Sequence, residues 1–313
     1  LSALFDVVLP VFLVIGFGYI VAWRGLFSES AVDGVMRFAQ NFAVPVLLFQ
    51  SIAKLDLSAE FNIPMLIAFY AGAFAAFGLG VFGARRLGRT PEEAVAIGFV
   101  CLFSNSLLLG VPITERAYGP DALAGNWAII SIHSPLLYTF GITVMEFTRA
   151  RGQNLSVGRV ASRALTGVLR TPLVIGIMSG LAMNLALQAG LVLPGGFWDA
   201  VRMMASSALP AALFALGGIL YRYKPEGDSR AILLCCFAAL ILHPLVTYGL
   251  GRLFALEVAA TRSSVLTAAM APGVNAYLFA SIYGVAKRVA ASTVLVATAL
   301  SILTISMWLA ILP

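Results

Sequence analysis

Charge is what this chain lacks. Of its 313 residues, 11% are charged and 60% are hydrophobic, and the mean hydropathy is +0.95. An ordinary soluble domain carries about 25% charged residues, so that class is excluded. Cysteine is scarce too. Cys101, Cys235 and Cys236 form an odd set inside apolar stretches, which excludes a disulfide framework and reads as buried filler. No Walker sequence, HExxH or G-x-S-x-G elbow occurs, so nucleotide-driven pumps, zinc proteases and α/β-hydrolases lack their motifs. An intramembrane hydrolase would need an acidic residue to orient its Ser and His, and none accompanies them.

What is present is apolar length. A bilayer core needs about 20 apolar residues per helix. Ten such stretches occur, near 4–23, 35–53, 63–84, 94–115, 123–146, 172–192, 203–221, 231–254, 263–284 and 290–312. They use nearly the whole chain and predict an all-α membrane protein with ten transmembrane helices. The first run has no basic leader and outlasts a signal peptide, so it reads as a retained span. Fifteen of the twenty Lys and Arg residues follow spans 1, 3, 5, 7 and 9, and five follow the even spans. That bias is the positive-inside signal. It predicts a multi-pass inner-membrane protein with both termini outside. The net charge of +6 therefore suits a lipid bilayer as partner, not nucleic acid. Trp23, Trp127, Trp198 and Trp308 fall near span ends, as in an interfacial belt.

The two halves repeat each other. Pro45-Val-Leu-Leu-Phe49 matches Pro210-Ala-Ala-Leu-Phe214 at an offset of 165, and Val14-Ile15-Gly16 matches Val174-Ile175-Gly176 at 160. Gly78-Leu79-Gly80 matches Gly249-Leu250-Gly251 at 171, and Asn105 lies 170 residues before Asn275. A unit of five spans is odd, so the second copy enters the membrane from the opposite side and the repeats are inverted. We divide the chain into a first five-helix repeat (1–150), a basic cytoplasmic connector (151–171) and a second five-helix repeat (172–313).

No Lys, Arg, Asp or Glu lies near the middle of a span. Asp6, Glu115, Arg116 and Glu146 sit at span ends, within reach of headgroups or water. The polar material at mid-depth is neutral. Span 4 holds Ser104, Asn105 and Ser106 with Gly110 and Pro112; span 9 holds Pro272, Gly273, Asn275 and Tyr277. Proline and glycine at these places predict interrupted helices. In lipid, the freed N–H and C=O groups are tolerated only where protein or a polar cavity receives them. The N-terminal end of such a helix carries roughly half a positive charge and can face an anion. Its other end offers carbonyls for Na⁺. One broken helix per half therefore points to a transporter site for a small carboxylate. The plainer alternative is that Asn105 and Asn275 cap the broken helices and bond each other.

Pro45 and Pro210 are expected to kink spans 2 and 7, with Gln50 and Ser51 facing the crossing from the opposite wall. His133 and His243 stand beside Pro135 and Pro244. Each is expected to bond a carbonyl freed by its proline, the alternative being a proton carrier. The small-residue run 71–80 reads as close helix packing.

These features together resemble the auxin efflux carrier family, bacterial branch, over essentially the whole chain. The residues that carry the resemblance are Asn105 through Gly110-Val-Pro112, Pro45-x-x-Leu-Phe49, Pro210-x-x-Leu-Phe214, and Pro272 followed by Phe279-Ala280-x-x-Tyr283-Gly284. The resemblance implies a scaffold from spans 1, 2, 6 and 7. It also implies a moving unit from spans 3–5 and 8–10, with broken crossover helices 4 and 9 and alternating access. Sodium/bile-acid symporters share that architecture. Asn105, the Pro112 region, Pro272 and Asn275 would line the site, and the substrates would be auxin-like or dicarboxylic acids. No enzyme activity is expected and no cofactor is implied. Na⁺ is the ion a bile-acid-type symporter would add, a sensor without net transport is a further alternative, and a homodimer stays open. The membrane potential alone would favour anion exit by about 2.3 kcal/mol per charge per 100 mV.

Overall fold

The computed structural model describes residues 3–55, 62–150 and 171–313. Apart from Thr171, the connector expected at 151–171 lies outside them. Every regular element among the described residues is helical. In chain order they are α1 (Phe5–Trp23), α2 (29–53), α3 (Ile63–Arg86), α4 (Pro91–Leu102), α5 (106–118), α6 (Ala124–Arg149), α7 (Pro172–Gln188), α8 (Gly195–Arg222), α9 (Ser229–Leu253), α10 (Val258–Ala268), α11 (Val274–Tyr283) and α12 (Lys287–Ile311).

Six of these, α1, α3, α6, α8, α9 and α12, are long and apolar enough to cross a membrane. The other expected spans fall short of that mark for visible reasons. The first turns of α2 carry Glu29, Asp33 and Arg37, and α7 has 17 residues. The stretches 94–115 and 263–284 are each divided, into α4 with α5 and into α10 with α11.

Local chemistry sets the boundaries. Thr90 and Glu93 form a reciprocal cap ahead of Pro91 and start α4. Asn62 caps α3 through the Met65 amide. In α2 and α9 a proline follows one wide π turn, Ala39–Ala43 before Pro45 and Ala238–Leu242 before Pro244. The extra residue per turn lets the proline ring fit without ending the helix. Pro210 sits inside the continuous helix α8.

Helices α1, α2, α7 and α8 pack mainly on one another, and the remaining helices form a second group around α3. Glycine makes the first group possible. A Cβ on Gly18 would stand 2.0 Å from the Phe214 carbonyl oxygen, and one on Gly217 would stand 1.9 Å from that of Ile15. Across α7 and α2, a Cβ on Gly176 would meet the Pro45 oxygen at 2.5 Å. Without side chains there, backbones touch and dispersion replaces the hydrophobic drive that lipid cannot supply. Asn184 of α7 donates to the carbonyls of Ile52, Ala53 and Leu55 at 3.1, 3.1 and 2.8 Å. It thereby satisfies the otherwise open C-terminal end of α2.

Gly217→Val is therefore expected to lower the melting temperature of the detergent-solubilised protein sharply, since overpacking costs about 1–3 kcal/mol. Gly78→Ala, where a Cβ would meet nothing within 4 Å, should leave it unchanged. Equal stability of the two variants would contradict the backbone contact between α1 and α8.

The small-residue run of α3 does pack closely, with a Cβ on Gly72 placed 2.7 Å from the His243 carbonyl oxygen. The tryptophan belt is corrected. Trp127 and Trp308 are buried, and the Trp308 Nε1–H donates to the Leu240 carbonyl at 3.4 Å. Pro244 leaves part of the α9 backbone without its usual donor, and the indole occupies that wall.

Candidate functional site

α4 stops at Leu102 and α10 at Ala268, and the two breaks meet. Ser104 and Pro272 form an antiparallel bridge. The Asn105 amide donates to the Ala271 carbonyl at 2.9 Å, and the Gly273 amide donates to the Phe103 carbonyl at 3.4 Å. Each interruption thus supplies partners to the other, which is how two broken helices can lie deep in an apolar protein. The phenyl rings of Phe99 and Phe279 stack 3.8 Å apart and clamp α4 to α11 beside the bridge. The approach is close at Gly273, where a Cβ would stand 3.3 Å from the Asn105 side chain and push it by a few tenths of an ångström.

The two half-helices that begin at the bridge differ. The Asn105 side chain accepts from the Leu108 amide at 3.3 Å and caps α5. α11 begins at Gly273 with no side-chain cap, so its first N–H groups keep their partial positive charge. Among the described residues Asn105 and Asn275 do not bond each other. The backbone carbonyl of Asn275 accepts from the Tyr138 hydroxyl at 3.1 Å, which pins α11 to α6.

A small cavity of about 40 Å³ lies against the bridge. Ser104, Asn105, Ser106 and Asn275 line it, together with Phe103, Leu107, Ile130, His133, Ser134 and Leu173. One water needs about 10–15 Å³ of such space, so the cavity has room for a few waters and not for a dicarboxylate.

Two larger recesses flank it. One, of about 680 Å³, lies between α1, α2, α5 and α8 and is lined by Gln50, Pro112, Glu115, Arg116, Arg202 and Pro210 among others. The other, of about 370 Å³, lies between α2, α8 and α11 and includes Asp33, Arg222, Tyr223, Val274 and Tyr277. Arg116, which lines the first, donates through its guanidinium to the Asp6 carbonyl of α1 at 3.1 and 2.6 Å and so ties α5 to α1. In the second, Tyr223 and Tyr277 lie with ring centroids 5.0 Å apart. Arg222 grips Asp33 there at 2.6 and 3.3 Å, and this contact holds the Asp33 carboxyl below its usual range.

Of the residues read from the sequence, Ser104, Asn105, Ser106 and Asn275 meet in the small cavity. Pro272 and Gly273 do not line it; they hold the break beside it, Pro272 in the bridge to Ser104 and Gly273 through its amide to Phe103. Gln50, Pro112 and Pro210 line the larger recess and Tyr277 the opposite one, one step removed from the bridge. Gly110 is buried in α5 near Met270 and Asn126. Pro45 lies against Gly176, and Ser51 lines none of these three spaces.

His133 was missed as a cavity residue. Neither histidine bonds a carbonyl of its own helix. His243 Nε2 contacts the Phe69 carbonyl of α3 at 3.2 Å, and His133 Nε2 faces the Ser106 hydroxyl at 3.5 Å. Both imidazoles point across a helix interface, where a helix-bound carbonyl of the same helix cannot be reached. The polar pair His133-Ser134 in the middle of span 5 was the available signal.

A bundle of apolar helices, six of them long enough to cross a membrane, with two mutually satisfied breaks beside a neutral polar cavity, is the build of a multi-pass membrane protein. Residues 3–309 match the Mem_trans family, described as "Membrane transport protein", and the chain belongs to that family. A protein of Rhizobium meliloti described as "Putative malonate transporter" is 25% identical over 96% of this chain and 92% of its own length. The "Uncharacterized transporter YfdV" of Escherichia coli is 24% identical over 96% and 95%. "Auxin efflux carrier component 3a" of Oryza sativa is 30% identical over 42% of this chain and 22% of its own length. The resemblance to auxin efflux carriers read from the sequence is shown by these matches. Family and relatives are membrane transporters, not enzymes.

Proposed function

We propose that this protein is a secondary transporter for small organic anions that works by alternating access. The observation that carries the reading is the meeting of two helix breaks at a cavity lined by Asn105, Asn275, Ser104 and Ser106. A carboxylate there would accept from amide and hydroxyl donors and from the uncapped N-terminus of α11.

In this reading the ten expected spans form two inverted repeats, α1–α6 and α7–α12, with the divided helices α4/α5 and α10/α11 as crossovers. The close contacts support it. Gly18 of α1 lies against Phe214 of α8, and Gly180 of α7 lies against Phe49 of α2, so the matched Pro-x-x-Leu-Phe segments meet glycines in matched helices. The grouping of α1, α2, α7 and α8 would be the scaffold, and the other helices the moving unit. The recesses beside α5 and α11 would be the two mouths. The protein would lie in the inner membrane with both termini outside.

Malonate and indole-3-acetate are the substrates to test, on the strength of the relatives' names. Reconstituted proteoliposomes should show saturable flux of at least one of them without Na⁺. An absolute need for Na⁺ would move the protein to the bile-acid-symporter type, and ligand binding without flux would make it a sensor.

A further inference from the structure

We propose that His133 binds a proton when an organic anion binds at the helix breaks, the small cavity there widening to admit it, and that the two cross together, so that the protein is an anion–proton symporter. This rests on the transport reading above and names its coupling ion. His133 is 3% exposed and shares the 40 Å³ cavity with Asn105, Ser106 and Asn275. Its Nε2 lies 3.5 Å from the Ser106 hydroxyl, and the Ser104 backbone carbonyl also stands beside the ring. Its Nδ1 is buried without a hydrogen-bond partner. An unpaired buried ring nitrogen is costly. His243 Nδ1 is unpaired in the same way, but of the two imidazoles only that of His133 lines the cavity, where a ligand could reach it.

The surroundings decide the charge logic. From α3, Phe69 and Tyr70 face the imidazole, and the Tyr70 hydroxyl is spent on the Ile129 carbonyl at 3.1 Å. Phe103 presents its ring at 4.7 Å from the break after α4, and α5 contributes Ser106. From α9 the nearest titratable group is His243, across the Phe69 ring and already bonded to a backbone carbonyl. Neither α7 nor α11 presents an ionisable group to the cavity, whose residues from them are Leu173 and Asn275. No carboxylate among the described residues faces His133, so an imidazolium has no counter-charge until a substrate brings one. The carboxylate and the proton then stabilise each other, and each must raise the affinity of the other by the same factor. The balance is one proton taken from the entry side onto His133 per anion bound, and one released on the exit side.

The test uses malonate as probe and pyranine inside proteoliposomes. Wild type moving down a malonate gradient should acidify the lumen as malonate enters, and His243→Gln should do the same. His133→Gln should lose the acidification for whatever malonate it carries. Should that variant carry none, binding in detergent gives the answer by ligand-induced thermal shift. Linked uptake of one proton predicts up to about a tenfold weaker wild-type Kd per unit rise in pH, and His133→Gln should show no such slope. Malonate flux by wild type without proton movement overturns the proposal and leaves the transporter standing. Persistence of acidification or of the pH slope in His133→Gln overturns it too. Wild type that neither carries nor binds malonate or indole-3-acetate overturns both readings.

Discussion

Asn105→Ala is expected to raise the KM for malonate by roughly 10- to 100-fold, because losing a buried hydrogen-bonding partner costs about 1–3 kcal/mol and 1.4 kcal/mol is tenfold. The side chain stands in the cavity wall and also caps α5 through Leu108. Loss of the cap alone costs about 1 kcal/mol of stability, so the variant should still be recovered folded from the membrane. Asn105→Asp would keep the cap and place a carboxylate where the substrate's own is expected. It should therefore bind malonate still less well while melting near wild type. Unchanged transport kinetics in both variants would remove Asn105 from the site.

Locking one mouth should stop transport altogether. Tyr223 at the end of α8 and Tyr277 of α11 face each other at 5.0 Å between ring centroids, across the boundary between the proposed scaffold and the moving unit. A Tyr223→Cys/Tyr277→Cys pair, in a background with the three buried native cysteines replaced by alanine, should lose malonate flux on treatment with a bifunctional methanethiosulfonate long enough to span the two tyrosine side chains it replaces. Thiol reduction should restore it, and each single variant should be insensitive to the cross-linker. Flux that continues through fully cross-linked protein would mean that α11 does not move against α8 during transport. The opposite mouth has its own strap, from Arg116 to the Asp6 carbonyl, and Arg116→Ala should shift the population toward opening there.

Much of the architecture was readable because membranes punish exceptions. Where backbone groups must be satisfied internally, a Pro-Gly pair or an Asn beside Pro in a long apolar run is a strong signal. Residues 103–105 and 269–273 are indeed where helix stops. The wide turns before Pro45 and Pro244 were not legible. Whether a proline kinks a helix or is absorbed by an extra residue depends on what packs beside it. Trp127 and Trp308 misled for a related reason. Position near a span end is a one-dimensional cue, while both indoles turn inward to fill space between helices. The histidines show the same limit, since direction around the helix decided between a structural bond and a place in the cavity.

Composition, apolar length and the Pro, Gly and Asn residues at 104–112 and 270–275 were enough to determine that this is a helical membrane protein with two places where helices cannot continue. Those are properties of short segments and of their cost in lipid, and they need no neighbours to be read. Only the tertiary structure decided that the two breaks pair with each other, that Asn105 caps while the start of α11 stays bare, and that His133 joins them. Such facts depend on which residues 30 or 170 positions apart come within hydrogen-bonding distance, and only the packed helices set those distances.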